Sequence, residues 1–167
     1  ALGAKYLLEN FTGKLVLDAD ALNALAAYEK NNFAEIFQNK KCDVVLTPHI
    51  KEFSRLSGES VETILEKGYS APVAFAKTYG VTVLLKNAVS VITDGKKTAV
   101  NAAGCAGQAK AGSGDVLSGV LAGLLADGLS AFDGGVAGAF LTGKAAEIAS
   151  LDEGDYSLLA TDVIAKL

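Results

Sequence analysis

The hydrophobic residues of this 167-residue chain follow two patterns that alternate along its length. Nearly uninterrupted apolar runs occupy residues 14–19, 43–46 and 81–85, which is typical of parallel strands buried on both faces. In the segments around these runs, apolar residues recur at helical spacing. The alternation predicts an α/β fold with a mainly parallel sheet that is flanked by helices on both faces.

After the third run the pattern changes to that of a β-hairpin. Residues 89–93 and 97–100 are strand-like, and the Asp94-Gly95 dipeptide between them favours a type I′ turn. The other predicted elements are helices at residues 21–28, 33–37, 131–149 and 161–166, and helical patches within residues 51–79 separated by breaks at Gly58, Gly68 and Pro72. Neither a repeat nor a linker is visible, so residues 1–167 are predicted to form a single domain.

Residues 101–114 form a segment of small residues, with four Gly, five Ala and a single charge at Lys110. The segment leads directly into a predicted helix, because apolar residues recur at helical spacing over residues 116–125. The free N–H groups and the positive dipole end of such a helix start attract phosphate.

Asp115 lies in the first turn of that helix and has two interpretations. In the first, it only complements the helix dipole, with Ser113 as the cap, and each contributes about 1 kcal/mol. In the second, it is a general base beside a bound phosphate. The glycine-rich approach favours the second interpretation, because an ordinary cap does not need four preceding glycines.

Polar residues follow each of the three predicted parallel strands, where ligands of such sheets bind. They are Asp18, Asp20 and Asn23 after the first strand, Thr47 and His49 after the second, and Lys86 and Asn87 after the third. Together with Asp115 they are predicted to converge on one crevice. Each also has a structural interpretation, such as a helix-start residue for Asn23 or a solvated strand end for Lys86.

Composition narrows the class of partner. The net charge of −4 and the scattered Lys and Arg residues argue against binding to nucleic acid or to a membrane surface. No apolar run is long enough to span a bilayer, and no signal-peptide pattern is present. Cys42 and Cys105 lack metal-site spacing, so free thiols in a reducing cytoplasm are expected.

Four segments in order resemble the ribokinase-like, ADP- or ATP-dependent NAD(P)H-hydrate dehydratases. They are LVLDADALNAL at 15–25, LTPHIKEFSRL at 46–56, VLLKNAVSVIT at 83–93 and GCAGQAKAGSGDVLSGVLAGLL at 104–125. The end of the chain, YSLLATDVIAKL at 156–167, is similar to the closing helix of the family. The resemblance covers nearly the whole chain.

The resemblance implies a lyase of metabolite repair that converts hydrated NADH or NADPH to the intact dinucleotide. ADP or ATP phosphorylates the added hydroxyl, and elimination of phosphate restores the ring double bond. Mg²⁺ is expected with the nucleotide. The implied catalytic base is Asp115, and the implied substrate contacts are Gly3, His49 and Asp115. The implied nucleotide contacts are Lys86, Asn87, Ala88, Val89, Ser90, Gly112, Ser113 and Gly114.

The chain departs from the family pattern at several positions near these residues. Ile50-Lys51 stands where Pro-Gly is usual, Asn87 where Gly is usual and Cys105-Ala106 where Asn-Pro is common, and Lys110 adds a charge. The family's domain is also longer at its N-terminal side. The chain is therefore expected to be the C-terminal portion of such a domain, completed by the missing N-terminal part.

Two alternatives stay open at this stage. One is a ribokinase-like kinase of a small alcohol, such as a hydroxymethylpyrimidine or a thiazole. The other is a non-catalytic fragment that binds nucleotide or oligomerises. A homo-oligomer is expected, and Gly134, Gly135, Gly138 and Gly143 would permit close helix packing either within or between subunits.

Overall fold

The computed structural model describes residues 2–28 and 33–167, with only the backbone described for Leu2, Tyr28 and Phe33. Ala1 lies outside the described residues. The described ranges contain one five-stranded sheet with the strand order β1-β2-β3-β4-β5. Its strands are β1 (Lys14–Leu17), β2 (Asp43–Leu46), β3 (Thr82–Leu85), β4 (Ser90–Thr93) and β5 (Thr98–Asn101).

The sheet is parallel in its first three strands and antiparallel in the last two. Leu17 pairs with Leu46, and Leu46 pairs with Val83, in parallel register. Strands β3, β4 and β5 pair in antiparallel register. The predicted parallel sheet with a late hairpin is confirmed.

Helices cover both faces of the sheet. Those on the first face are α1 (Leu2–Asn10), α2 (Asp20–Tyr28), α3 (Phe33–Gln38), α4 (Ile50–Ser57), α5 (Val61–Lys67) and α6 (Ser70–Tyr79). Those on the side of the second face are α7 (Ser113–Ala126), α8 (Ala131–Glu153) and α9 (Ala160–Ile164), preceded by a short 3₁₀ turn at Ala106–Gln108.

Side-chain alternation in the strands explains why both faces are covered. In β2, Val44 and Leu46 enter the core under α1–α6, whereas Val45 packs with residues of α7. In β3, Leu84 likewise faces α7 and α8. Because every residue of β3 is buried, neither face can be left to solvent.

Three local predictions were wrong. Pro72 does not break a helix but lies in the first turn of α6, where its missing N–H has no intrahelical partner to lose. The hairpin connection is a four-residue loop, 94–97, in which Gly95 (φ 82°) has a positive φ and Asp94 does not, so it is not a type I′ turn. Helix α8 continues to Glu153, past its predicted end at residue 149.

The glycines of α8 serve packing within the chain. A Cβ on Gly134 would lie 2.7 Å from Leu125, and one on Gly143 would lie 2.5 Å from the carbonyl oxygen of Ala103. Close approach of α8 to α7 and to the glycine-rich segment therefore requires these residues. Among the helices in the described ranges, none combines the length and the apolar character needed to cross a membrane.

Candidate active site

An open cavity of about 870 Å³ lies at the carboxyl end of β3. It is enclosed by the β3–β4 connection, the segment of residues 101–114 and helix α8. Seven of the predicted site residues line it, namely His49, Lys86, Asn87, Ala88, Ser90, Ser113 and Gly114. The structure therefore brings most of the predicted nucleotide contacts to one place, although they come from two separate parts of the chain.

Four predicted residues do not belong to the cavity lining. Gly112 precedes α7, and Asp115 is exposed in the first turn of that helix. Val89 is 46% exposed beside the rim. Gly3 is exposed in α1, and a Cβ on it would meet no atom within 4 Å. Asp115 and Ser113 thus lie in the same helical turn but differ in what they face, since only Ser113 lines the cavity.

Helix α7 begins without a side-chain cap. Its N-cap is Gly112, with φ 89° and ψ −19°, so the predicted capping by Ser113 is wrong. Glycine suits this position because residues that carry a side chain rarely adopt such a positive φ. The Ser113 N–H donates to the Lys110 carbonyl at 3.4 Å, so the first-turn N–H groups left for a ligand are those of Gly114 and Asp115, which have no intrahelical acceptors.

Beneath the start of α7 lies a charged cluster that joins two strand ends. The ammonium of Lys86 donates to both carboxylate oxygens of Asp18, at 2.9 and 3.1 Å. The Ser118 hydroxyl donates to the same carboxylate at 3.2 Å. A Cβ on Gly114 would be 3.2 Å from Asp18 Oδ2 and 3.6 Å from Lys86 Nζ. Lys86 is thus a paired cation at the cavity wall and not a solvated strand end.

His49 has a structural role in addition to its place on the cavity wall. It is the N-cap of α4 and forms a capping box with Glu52. Its Nδ1 accepts from the Glu52 N–H at 3.2 Å, while Glu52 Oε2 accepts from the His49 N–H at 2.8 Å. Its Nε2 lies 3.4 Å from Glu52 Oε1. The ring is therefore held in one orientation, with Nδ1 unprotonated.

Three other strand-end residues do not join the cavity. Thr47 is fully buried and its hydroxyl donates to the Leu17 carbonyl. Asn23 lies within α2, where its side-chain oxygen accepts from Arg55 at 2.8 Å. Asp20 is exposed at the start of α2. The prediction that all the strand-end residues converge is thus wrong for these three, and Asp18 reaches the site only through Lys86 and Ser118.

Helix α8 holds the segment of residues 101–114 in place. The Gly104 N–H donates to Glu147 at 2.8 Å, and the Gln108 amide donates to the Thr142 carbonyl at 3.2 Å. The Asn101 amide donates to the Ala139 carbonyl at 3.2 Å. Sequence reasoning missed these anchors, because two of the acceptors are backbone carbonyls, and all three partners lie 34 to 43 residues further along the chain.

Glu147 makes the anchoring sensitive to acid. Hydrogen bonds from the Lys144 ammonium and from the Gly104 N–H lower the pKa of Glu147 below its ordinary value of 4.5. A lowered pKa in the folded state means that the carboxylate stabilises the fold above pH 4.5 and loses this effect as the pH falls through the lowered value.

Glu147→Gln is therefore expected to lower the midpoint of thermal unfolding at neutral pH, with the difference from the unsubstituted chain shrinking below pH 4.5. Gln keeps an acceptor for the Gly104 N–H but removes the charge. Calorimetric scans of both proteins from neutral to acid pH measure the difference. A difference that stays constant well below pH 4.5 would contradict this assignment.

In the part of the chain that the structure describes, no three His, Cys, Asp or Glu side chains are grouped to hold a metal ion. Cys42 and Cys105 are free thiols, as expected. Burial raises the pKa of the Cys42 thiol, which is therefore an inert core residue.

The parallel sheet with its late hairpin, together with the Gly-Ser-Gly-Asp start of α7, defines a ribokinase-like α/β protein. The sequence profile described as NAD(P)H-hydrate dehydratase matches residues 4–167. The chain therefore belongs to the NAD(P)H-hydrate dehydratase family.

Individual relatives agree with this assignment. The chain is 39% identical over 147 residues to the ADP-dependent (S)-NAD(P)H-hydrate dehydratase of Neisseria meningitidis, covering 87% of this chain and 48% of that protein. It is 36% identical over 162 residues to the bifunctional NAD(P)H-hydrate repair enzyme Nnr of Moorella thermoacetica, covering 96% and 29%. The chain thus spans less than half the length of either relative.

A solved structure has the same fold. It is the ADP/ATP-dependent NAD(P)H-hydrate dehydratase from Bacillus subtilis, co-crystallized with ATP/Mg²⁺. The TM-score is 0.81 at 26% identity, and the match covers 95% of this chain and 54% of that one.

Proposed function

We propose that this chain forms the nucleotide-binding part of an ADP- or ATP-dependent dehydratase that repairs hydrated NADH or NADPH. The observation that carries the proposal is the start of α7, an uncapped helix N-terminus at the edge of a cavity of about 870 Å³. That volume lies within the range of small-ligand sites. Membership of the dehydratase family supplies the reaction class.

We propose one orientation for the nucleotide in the cavity. Its terminal phosphates lie at the start of α7, beside Gly112, Ser113 and Gly114. The connection formed by Lys86, Asn87, Ala88, Val89 and Ser90 flanks the phosphates and the ribose. The base lies toward α8, against the part of the cavity wall that Thr142 and Gly143 form.

The dinucleotide then approaches the first turn of α7 from its solvent side, where Asp115 is exposed. The hydroxyl oxygen of the hydrate attacks the terminal phosphorus, and the bond from phosphorus to the donor breaks with its electron pair on the departing nucleotide. Asp115 accepts the hydroxyl proton. The phosphate next leaves carbon with the C–O electron pair, and loss of a proton from the adjacent ring carbon restores the double bond. His49 and Gly3 are the proposed contacts for this substrate.

Mg²⁺ fits the site only as an ion carried by the nucleotide. The described residues offer no group of three metal-ligating side chains, and Asp18 is already paired with Lys86. This agrees with the usual preference of Mg²⁺ for substrate phosphates, waters and one or two carboxylates. When bound, the ion would neutralise charge on the phosphates at the start of α7.

Product analysis tests the proposed reaction on the protein at its full natural length. With hydrated NADH and either ADP or ATP, we expect reduced dinucleotide and inorganic phosphate to appear in equal amounts. Phosphate retained on an organic product would support the alcohol kinase instead. Binding of ADP without any turnover would support the non-catalytic fragment, and either result would overturn the proposal.

A further inference from the structure

Lys110, the single charged residue of segment 101–114, makes hydrogen bonds to the C-terminal part of the chain. The Lys110 ammonium donates to the backbone carbonyl of Tyr156 and, at 2.9 Å, to that of Leu158. Both carbonyls belong to residues 154–159, which connect α8 to α9 and are called here the C-terminal connection. Two of the three donors of the ammonium are therefore committed to backbone oxygens.

Packing joins the same two segments independently of this charge. A Cβ on Gly107 would lie 2.8 Å from Leu158 Cδ2 and 2.9 Å from the Asp155 carbonyl oxygen. Leu158 is 1% exposed, and Cys105 packs against the apolar cluster that contains it. The C-terminal connection therefore lies directly behind the segment that precedes α7.

The contact extends to the helix start. A Cβ on Gly112 would be 3.1 Å from the Cβ of Ala160, the first residue of α9. Displacement of the C-terminal connection would thus remove support from the residues that present N–H groups to phosphate.

We propose that the C-terminal connection packs behind residues 101–114 and holds them in the conformation that binds phosphate. Lys110 is then a positioning residue, because its ammonium joins the two segments. The inference rests on the proposed function, because it concerns the same nucleotide site. A charged donor to two carbonyls is stronger than a neutral hydrogen bond, and it restrains a segment that otherwise consists of Gly, Ala and few other residues. Lys110 also lines the cavity, so the competing explanation is a direct contact with phosphate.

Three variants separate these explanations. Lys110→Met keeps the aliphatic stem and removes the ammonium, and Lys110→Arg keeps charge and donors. Gly107→Ala pushes the C-terminal connection away without changing any charge. The matched control is Lys96→Met, because Lys96 is an exposed lysine of the hairpin loop. The measurements are hydrogen exchange of residues 104–112 and 154–160 without nucleotide, and calorimetric titration with ADP.

We expect Lys110→Met and Gly107→Ala to lose exchange protection in both segments and to bind ADP about tenfold more weakly, about 1.4 kcal/mol. Lys110→Arg should restore most of both properties, and the control should change neither. Unchanged protection in Lys110→Met, whether or not ADP binding weakens, would overturn the proposal, since a direct phosphate contact does not act without ligand. Failure of the unsubstituted chain to bind ADP would instead count against the proposed function. The hydrogen-exchange data would still show whether Lys110 stabilises its contact with the C-terminal connection.

Discussion

Asp115→Asn is expected to lower kcat by about 10²–10⁴-fold while the affinity for ADP stays unchanged, because an amide cannot accept the hydroxyl proton. The carboxylate is exposed in the first turn of α7 and lies outside the cavity lining, so the substitution leaves the residues proposed to hold the nucleotide in place. Phosphate release in single turnover and ADP titration measure the two quantities.

The matched control is Asp127→Asn at the opposite end of the same helix, where the carboxylate is also exposed. This variant should retain full turnover. If Asp115→Asn keeps more than a tenth of the original kcat, Asp115 is not the base, since general base catalysis contributes at least about 10²-fold. Its exposed carboxylate would then only complement the helix dipole.

Lys86→Met is expected to weaken ADP binding by about tenfold or more and to destabilise the fold by up to about 3 kcal/mol. The substitution removes the ammonium from the cavity wall and leaves the Asp18 carboxylate, 15% exposed, without its cation. Of the donors to the Asp18 carboxylate described above, only the Ser118 hydroxyl would then remain. Urea unfolding and calorimetric titration with ADP measure the two effects.

The double variant Lys86→Met/Asp18→Asn separates them. With the carboxylate also neutralised, most of the lost stability should return, because no unpaired charge remains beneath α7. ADP affinity should stay low, since the ammonium is still missing. Recovery of ADP affinity in the double variant would show that Lys86 serves only as a counter-ion of Asp18.

The sheet was predictable because its signals are local. Each parallel strand is a run of consecutive apolar residues, and burial on both faces leaves no other place for such a run. The hairpin was predicted, but its loop was not, because Asp94 accepts hydrogen bonds from the N–H groups of Lys96 and Lys97 and so stabilises a wider turn. Pro72 was misread because a proline near a helix start has the same sequence signature as a break.

The site was predictable in its parts but not in its contacts. The small-residue approach to Asp115 indicated a phosphate-binding helix start, and the ordered resemblance supplied the reaction. The pairing of Lys86 with Asp18 depends on which strands are neighbours, and 68 residues separate the two in the chain. Lys110 is a comparable case, since its carbonyl partners lie 46 and 48 residues away and backbone oxygens leave no mark in a sequence.

The geometry divides the proposed reaction between two sides of one helix start. Ser113 and Gly114 line the cavity, whereas Asp115 is open to solvent. Such a division lets the phosphate donor and the dinucleotide approach from different directions and meet at the first turn of α7. The exposed side of Asp115 is accordingly where further protein contacts to the dinucleotide are expected.

A crystal structure of this chain with ADP bound tests the central claim most directly. We predict phosphate oxygens within hydrogen-bond distance of the first-turn N–H groups of α7, and the base beside Thr142 and Gly143. The Asp115 carboxylate should lie beside the terminal phosphate on its solvent side. ADP bound elsewhere, or bound in the cavity with its phosphates turned away from α7, would contradict the account.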